Sequence, residues 1–179
     1  MPGRSAVIVP ILLPSRLAAL RQAGDPLAAR GVPAHVTVLF PFLPDTALTP
    51  VVRSDLARLA ARQAPFIAGF SRVEAREEMV WLVPDDQQPF LDLTDSVATL
   101  WPDHPPYGGI HDTLIPHLTL LETTDGQALD AAWAAAVDIG PFEMTVRELT
   151  VITENASDTW RTRWRLPLGG RTTRARFAP

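Results

Sequence analysis

The stretch Ala34-His35-Val36-Thr37-Val38-Leu39-Phe40-Pro41-Phe42 decides how this chain is read, together with its echo Ile115-Pro116-His117-Leu118-Thr119-Leu120-Leu121. Both are short apolar runs rich in β-branched residues and leucine, which favours strands. Each carries one His and one Thr two positions apart. A strand turns alternate side chains to opposite faces, so His35 and Thr37 point one way and Val36 and Val38 the other. His117 and Thr119 stand in the same relation to Leu118 and Leu120. A polar pair on an otherwise apolar strand, occurring twice, suggests one site built from two equivalent halves.

Around these runs the chain has 179 residues, enough for a single domain or two small lobes sharing a core. It has no Cys, which excludes disulfides, thiolate chemistry and Cys-ligated zinc or iron–sulfur sites. All 16 basic residues are Arg. Without lysine there is no Schiff base, no P-loop lysine and no nucleotidyl-lysine intermediate of an ATP-dependent ligase. The net charge of −4 and a pI near 5.5 argue against broad, non-specific binding of long nucleic acid, while leaving room for a local basic cleft. No apolar run approaches the roughly 20 residues of a membrane span. Ser5 to Leu13 follows Arg4 and imitates the apolar core of a signal peptide, but Pro10 and Pro14 interrupt it, so it reads as an opening strand. The expected location is the cytoplasm.

Taken in order, Ala6–Leu13 reads as a strand and Ser15–Ala23 as a helix stopped by Gly24. Asp25–Pro33 reads as a short helix and turn before the first His-Thr strand, which Pro41 and Pro44 end. Thr49-Pro50 opens a helix over Val51–Gln63. Phe66–Ala75 and Glu78–Val83 read as two strands, Pro89–Leu100 as a helix, and Pro102–Ile110 as a loop carrying His104 and Tyr107. The second His-Thr strand follows, then an Ala-rich helix over Gln127–Val137. Phe142–Glu154 and Thr159–Leu166 read as two closing strands paired through a turn at Asn155–Asp158. This irregular alternation is not that of a doubly wound parallel sheet. It predicts an α+β fold with antiparallel sheets and flanking helices, arranged as two pseudo-equivalent lobes around a central cleft. Residues 1–168 are expected to form this one bilobal domain and residues 169–179 a polar, Arg-rich tail. Beyond the motif the two halves show little sequence similarity.

A lone His on a strand is ordinarily a hydrogen-bonded bystander, and His111-Asp112-Thr113 repeats the spacing in loop-like sequence. What sets His35 and His117 apart is their apolar setting, with small or Pro residues just before them. Imidazole titrates near pH 6.5, so of two neighbouring His one can be neutral and the other protonated. That pair supplies a general base for water and a general acid for a leaving oxygen, each typically worth about 10²–10⁴ in rate. Thr hydroxyls on the same face can donate to non-bridging phosphate oxygens, and a hydrogen bond to a charged partner contributes about 1.5–3 kcal/mol. The set suits in-line attack at a phosphodiester.

The two motifs, with their flanks from Pro33 to Phe42 and from Ile115 to Leu120, resemble the twin HxT signature of the 2H phosphoesterase, or 2′-5′ RNA ligase-like, superfamily. The resemblance covers most of the chain, from the opening strand to a Trp-containing strand closing at Leu166-Pro167-Leu168-Gly169. It implies a bilobal α+β fold with both motifs lining the cleft, and chemistry on cyclic phosphates or 2′-5′ linkages that needs neither metal nor cofactor. By motif, His35 and His117 become the acid/base pair and Thr37 and Thr119 the phosphate clamp, with acid and base left unassigned between the two His.

Phe42 and Tyr107 are further candidates, for stacking on a nucleobase, although aromatic residues at such places also serve packing. Arg161, Arg163 and Arg165 alternate on the last strand and would share one face, with Trp160, Thr162 and Trp164 on the other. One of these arginines can reach the phosphate, and equally they can guard a solvated edge. A zinc site from His111, His117 and Glu122 fits by residue type but matches no familiar spacing. Three functions stay open: a phosphodiesterase opening 2′,3′-cyclic phosphates of nucleotides or RNA ends, a 2′-5′ RNA ligase or RNA end-processing enzyme, and a nucleotide-binding module without turnover. The expected partner is a nucleotide or short RNA bearing a cyclic phosphate, with no membrane and no stable protein partner, and the chain acting as a monomer.

Overall fold

The opening run of β1 (Ser5–Pro10) is apolar at almost every position because both its faces are covered. It is an inner strand of a four-stranded antiparallel sheet ordered β2-β1-β8-β9, with β2 at His35–Leu39, β8 at Glu148–Glu154 and β9 at Trp160–Pro167. Val7 and Val9 join the main core, while Ala6 and Ile8 pack with Val32 and Ile152 on the opposite face. The computed structural model describes residues 3–110 and 113–169.

A second antiparallel sheet, β4-β5-β6, is made from Arg72–Arg76, Met79–Val83 and Leu118–Glu122. Between the two lies a short ribbon of β3 (Phe66–Phe70) on β7 (Phe142–Val146). The sequence predicts Phe66–Ala75 and Phe142–Glu154 as unbroken strands. Each is instead cut once, at Ser71 and at Arg147, and its two parts pair in different sheets. Both cuts let one strand leave the ribbon and enter a lobe, which a propensity reading of a continuous apolar run cannot foresee.

Five α-helices complete the described residues: α1 (Ser15–Gly24), α2 (Pro26–Ala29), α3 (Pro50–Arg62), α4 (Gln88–Leu100) and α5 (Gly126–Ile139). Three of the helices are capped by a side chain at the start, with Asp25 accepting from the Leu27 N–H at α2, while α1 and α4 begin without one. Thr49 accepts from the Val52 N–H with Pro50 in the first turn, and Asp125 accepts from the Gln127 and Ala128 N–H groups. The helices α1 and α4 are exchanged between lobes. Helix α1 leaves β1 and packs on β6 of the other sheet, and α4 leaves β5 and packs on β2. Helix α3 lies against β9 and α5 against β4, β5 and β6.

The connectivity is therefore repeated. The series β1-α1-β2-α3-β3-β4 corresponds to β5-α4-β6-α5-β7-β8, with β4 pairing on β5 and β8 on β1. The β3–β7 pair, in register from Phe66 opposite Val146 to Phe70 opposite Phe142, holds equivalent strands of the two repeats side by side. One continuous core takes residues from both lobes, from Val7 and Leu56 to Leu120 and Ala136. The arrangement is the expected α+β fold: two lobes of antiparallel strands with flanking helices about a cleft.

Candidate active site

The two His-Thr strands carry the same irregularity. Between β1 and β2, Val7 faces Leu39 and Ile8 faces Thr37, so Val38 is an extra residue. Between β5 and β6, Val80 faces Leu121 and Trp81 faces Thr119, so Leu120 is extra. In both lobes the β-bulge falls directly after the Thr. It turns two successive side chains into the core, Val38 with Leu39 and Leu120 with Leu121, while His and Thr stay on the cleft face. In the first lobe the carbonyl of Val38 accepts from the buried Thr94 hydroxyl of α4 at 2.9 Å. In the second, α1 approaches so closely that a Cβ at Gly24 would lie 2.5 Å from Leu121 Cδ1.

Both imidazoles are fixed through the backbone two residues earlier. His35 Nδ1 lies 2.8 Å from the Pro33 carbonyl and His117 Nδ1 lies 2.7 Å from the Ile115 carbonyl. A carbonyl oxygen only accepts, so each Nδ1 carries a proton, and Nε2 is the ring nitrogen left for other partners. A neutral ring then presents Nε2 as an acceptor, and a protonated ring presents it as a donor. Both residues are half-buried and line one cavity of about 320 Å³, together with Thr37 and Thr119.

Their surroundings differ. His35 is pushed down to about 4, first by burial, with the positive charges of Arg21 and His117 adding to it and the Pro33 hydrogen bond opposing. The Thr37 and Tyr107 hydroxyls share a hydrogen bond, and burial raises the Tyr107 phenol. Tyr107 is brought there by the turn Pro106–Gly109, in which Tyr107, Gly108 and Gly109 all adopt positive φ, and by its N–H donating to the Phe40 carbonyl at 2.6 Å. His117 instead lies against the Trp81 ring, with centroids 5.2 Å apart, and the Thr119 hydroxyl donates to Met79 Sδ at 3.3 Å. A thioether is a weak acceptor, so that hydroxyl is easily recruited by a better one.

Tyr107 joins the cavity wall, its hydroxyl tied to Thr37. Phe42 does not: it is 3% exposed and packs edge-on against Trp101 in the core, with centroids 5.1 Å apart. The bulge at Val38 reverses the alternation, so Phe40, which would otherwise share the core face of Val36, lines the cavity beside Trp160. The alternating arginines of β9 are corrected in the same way. Arg165 faces Thr150, whereas Thr162 faces Ile152, so Arg163 is extra and the alternation breaks. Arg165 shares a face with Thr162 and Trp160, while Arg161 shares the other with Trp164. None of Arg161, Arg163 or Arg165 lines the cavity; all three are exposed.

The cations at the cavity are Arg4, Arg21 and Arg30. Arg21 is buried, donates to the Val32 carbonyl at 3.0 Å and pairs with Asp25 at 2.7 Å. Arg4 and Arg30 both hold Glu154, at 2.6 and 2.5 Å, a carboxylate 8% exposed and kept below its usual range chiefly by the Arg4 hydrogen bond. These arginines come from the run before β1, from α1 and from the end of α2, and nothing local to any of them marks a site. Among the described residues no three His, Cys, Asp or Glu side chains are placed to share a metal ion. His111 of the zinc set lies outside those residues, as do residues 170–179 of the expected tail, and His104 does not line the cavity. No described helix is long and apolar enough to cross a membrane.

Fold and cleft define a class: bilobal α+β proteins in which each lobe presents one His-x-Thr strand to a shared cavity. The chain belongs to the 2′-5′ RNA ligase superfamily, whose family model matches residues 9–158. Among solved structures it is similar to TT0787 of Thermus thermophilus, with a TM-score of 0.60 and 22% identity over 94% of this chain and 99% of that one. It is similar to E. coli LigT complexed with 3′-AMP, with a TM-score of 0.60 and 19% identity over 94% and 99%. LigT complexed with NADP+ gives 0.57 and 20% over 93% and 98%. At these identities the likeness speaks for the fold. No curated protein matches the chain.

Proposed function

We propose that the chain is a phosphodiesterase that opens 2′,3′-cyclic phosphates of nucleotides or RNA ends by paired-histidine acid/base catalysis, with no metal required. The observation that carries this is the shared tautomer: two backbone carbonyls hold both Nδ1 protons, leaving both Nε2 atoms for a substrate in one cavity beside two Thr hydroxyls. Superfamily membership supports it, and the nucleotides held by LigT support a nucleotide as ligand.

The roles follow from the surroundings. His35 is neutral well below pH 7, so its Nε2 is the base. It takes the proton of a water whose oxygen attacks phosphorus. As the P–O bond to one ribose oxygen breaks, protonated His117 gives its Nε2 proton to that oxygen. One proton is accepted and one donated, a phosphomonoester and a free hydroxyl result, and exchange with solvent restores both rings. Thr37 and Thr119 donate to the non-bridging oxygens, whose charge grows in the transition state. The test is turnover of 2′,3′-cyclic nucleotides in excess EDTA by wild type and His117→Ala. Turnover that survives the chelator and disappears in the variant is expected; full activity in the variant removes the acid/base assignment.

A further inference from the structure

Helix α1 brings to the cavity a group that the proposed reaction leaves unused. Arg21 is 6% exposed, Asp25 is 3% exposed, and the two pair at 2.7 Å in the cavity wall. A buried ion pair is weak ground for stability, because desolvation offsets much of the attraction. Burial accordingly holds the Arg21 guanidinium below its usual range. What the pair does reach is the approach to β2. While one arm of the guanidinium holds Asp25, the other, Nη1, donates to the Val32 carbonyl at 3.0 Å. The next carbonyl, that of Pro33, holds His35 Nδ1. The one after it, that of Ala34, accepts from the Ile11 N–H at 2.8 Å. Three successive carbonyls are therefore fixed, and the middle one sets the imidazole. Thr94 secures the far end of the strand at Val38.

We propose that Arg21 is a positioning residue for His35: oriented by Asp25, it clamps the Val32 carbonyl so that the neighbouring Pro33 carbonyl keeps its hold on Nδ1. This rests on the reading of His35 as the base and names what prepares it. The charge of Arg21 works in the same direction, since it and His117 both disfavour a second proton on His35. The other charged or titratable groups lining the cavity are Arg4, Arg30, Asp25 and Tyr107. Helix α4, which packs on β2, buries only the uncharged Phe90, Leu93, Thr94 and Val97.

The test is an NMR titration of the ¹⁵N-labelled imidazoles in the free, full chain, read beside steady-state kinetics. Removing Arg21 alone would strand a buried carboxylate. The variant is therefore Arg21→Met with Asp25→Asn, whose amide oxygen can still serve the Leu27 N–H. Wild type should carry the His35 proton on Nδ1 and titrate near pH 4. The paired variant should populate both tautomers and titrate higher, without reaching 6.5 because burial remains the larger cause. Its kcat should fall severalfold while its affinity for adenosine 3′-monophosphate stays unchanged. Arg21→Lys returns the charge without the two-armed fork, so its titration should stay near the wild-type value while its tautomers mix. If the paired variant fails to fold, Arg21→Lys carries the test alone. A wild-type tautomer in every folded variant overturns the proposal, whatever the loss of thermal stability. So does an unchanged kcat with lost nucleotide affinity, which would make Arg21 a phosphate ligand. Because the imidazole is read without substrate, a failure of cyclic-phosphate turnover would remove the reaction proposed above and leave the clamp measurable.

Discussion

The two halves of the cleft share a backbone and differ in what they press against it. In each, a strand delivers His and Thr to the cleft, bulges at the next residue and pins Nδ1 to the carbonyl two positions back. In the first lobe, however, the His is enclosed near buried Arg21 and the Thr is tied to a phenol. In the second, the His leans on an indole and the Thr on a thioether. The lesson is that symmetry sets the position of the two imidazoles, while the neighbours make their surroundings unlike; on the proposed reaction, that difference assigns acid and base.

The largest effect should come from erasing one half altogether. His35→Ala or His117→Ala is expected to lower kcat by about 10²–10⁴, and the double variant by less than the product of the two, because each His needs the other to complete the proton transfer. Single-turnover rates of the three variants check this. Multiplicative losses would mean the two halves act independently.

Next, each Thr should matter through one hydrogen bond to a charged oxygen. Thr37→Ala and Thr119→Ala are each expected to cost about 10- to 150-fold in kcat/KM. Steady-state kinetics that show no loss in either would remove the phosphate clamp.

The pH response separates the lobes. A neutral His35 in the free protein should hold the acid limb of kcat/KM near pH 4 rather than 6.5. The unfolded chain, with this imidazole near 6.5, binds more protons than the folded one between those values. Stability is therefore full above about 6.5 and declines as pH falls towards 4. Urea midpoints measured from pH 7 to 4 should fall, and His35→Gln should flatten part of that slope. An acid limb set well above pH 4 would take the base role from His35.

The smallest effects belong to the Thr partners. Tyr107→Phe should lower activity by roughly 2- to 10-fold, the worth of one neutral hydrogen bond, whereas Met79→Leu should be nearly silent because a thioether accepts weakly. Reversal of that order would mean the second lobe is the more tightly organised.

The His-Thr pairs were legible because a strand's two-residue period is local information. What needed the partner strand was hidden. A bulge is defined by pairing, so neither the turn of Phe40 into the cavity nor the broken alternation of Arg161, Arg163 and Arg165 had a signal in β2 or β9 alone. Arg4, Arg21 and Arg30 converge from three separate segments and form a site only after folding. The repeat itself was concealed because it is a repeat of connections, with little amino-acid identity between the halves.

The exchanged helices tie assembly to function. Each His-Thr strand is backed by a helix that the other half of the chain supplies: α4 on β2 and α1 on β6. Cleaved in the β4–β5 turn at Glu77, neither fragment would keep both its motif strand and that strand's support. The halves interlock like clasped hands. A grip that loosens on one side slackens the other, so any heat, denaturant or protease that frees one half-site should disable both at once.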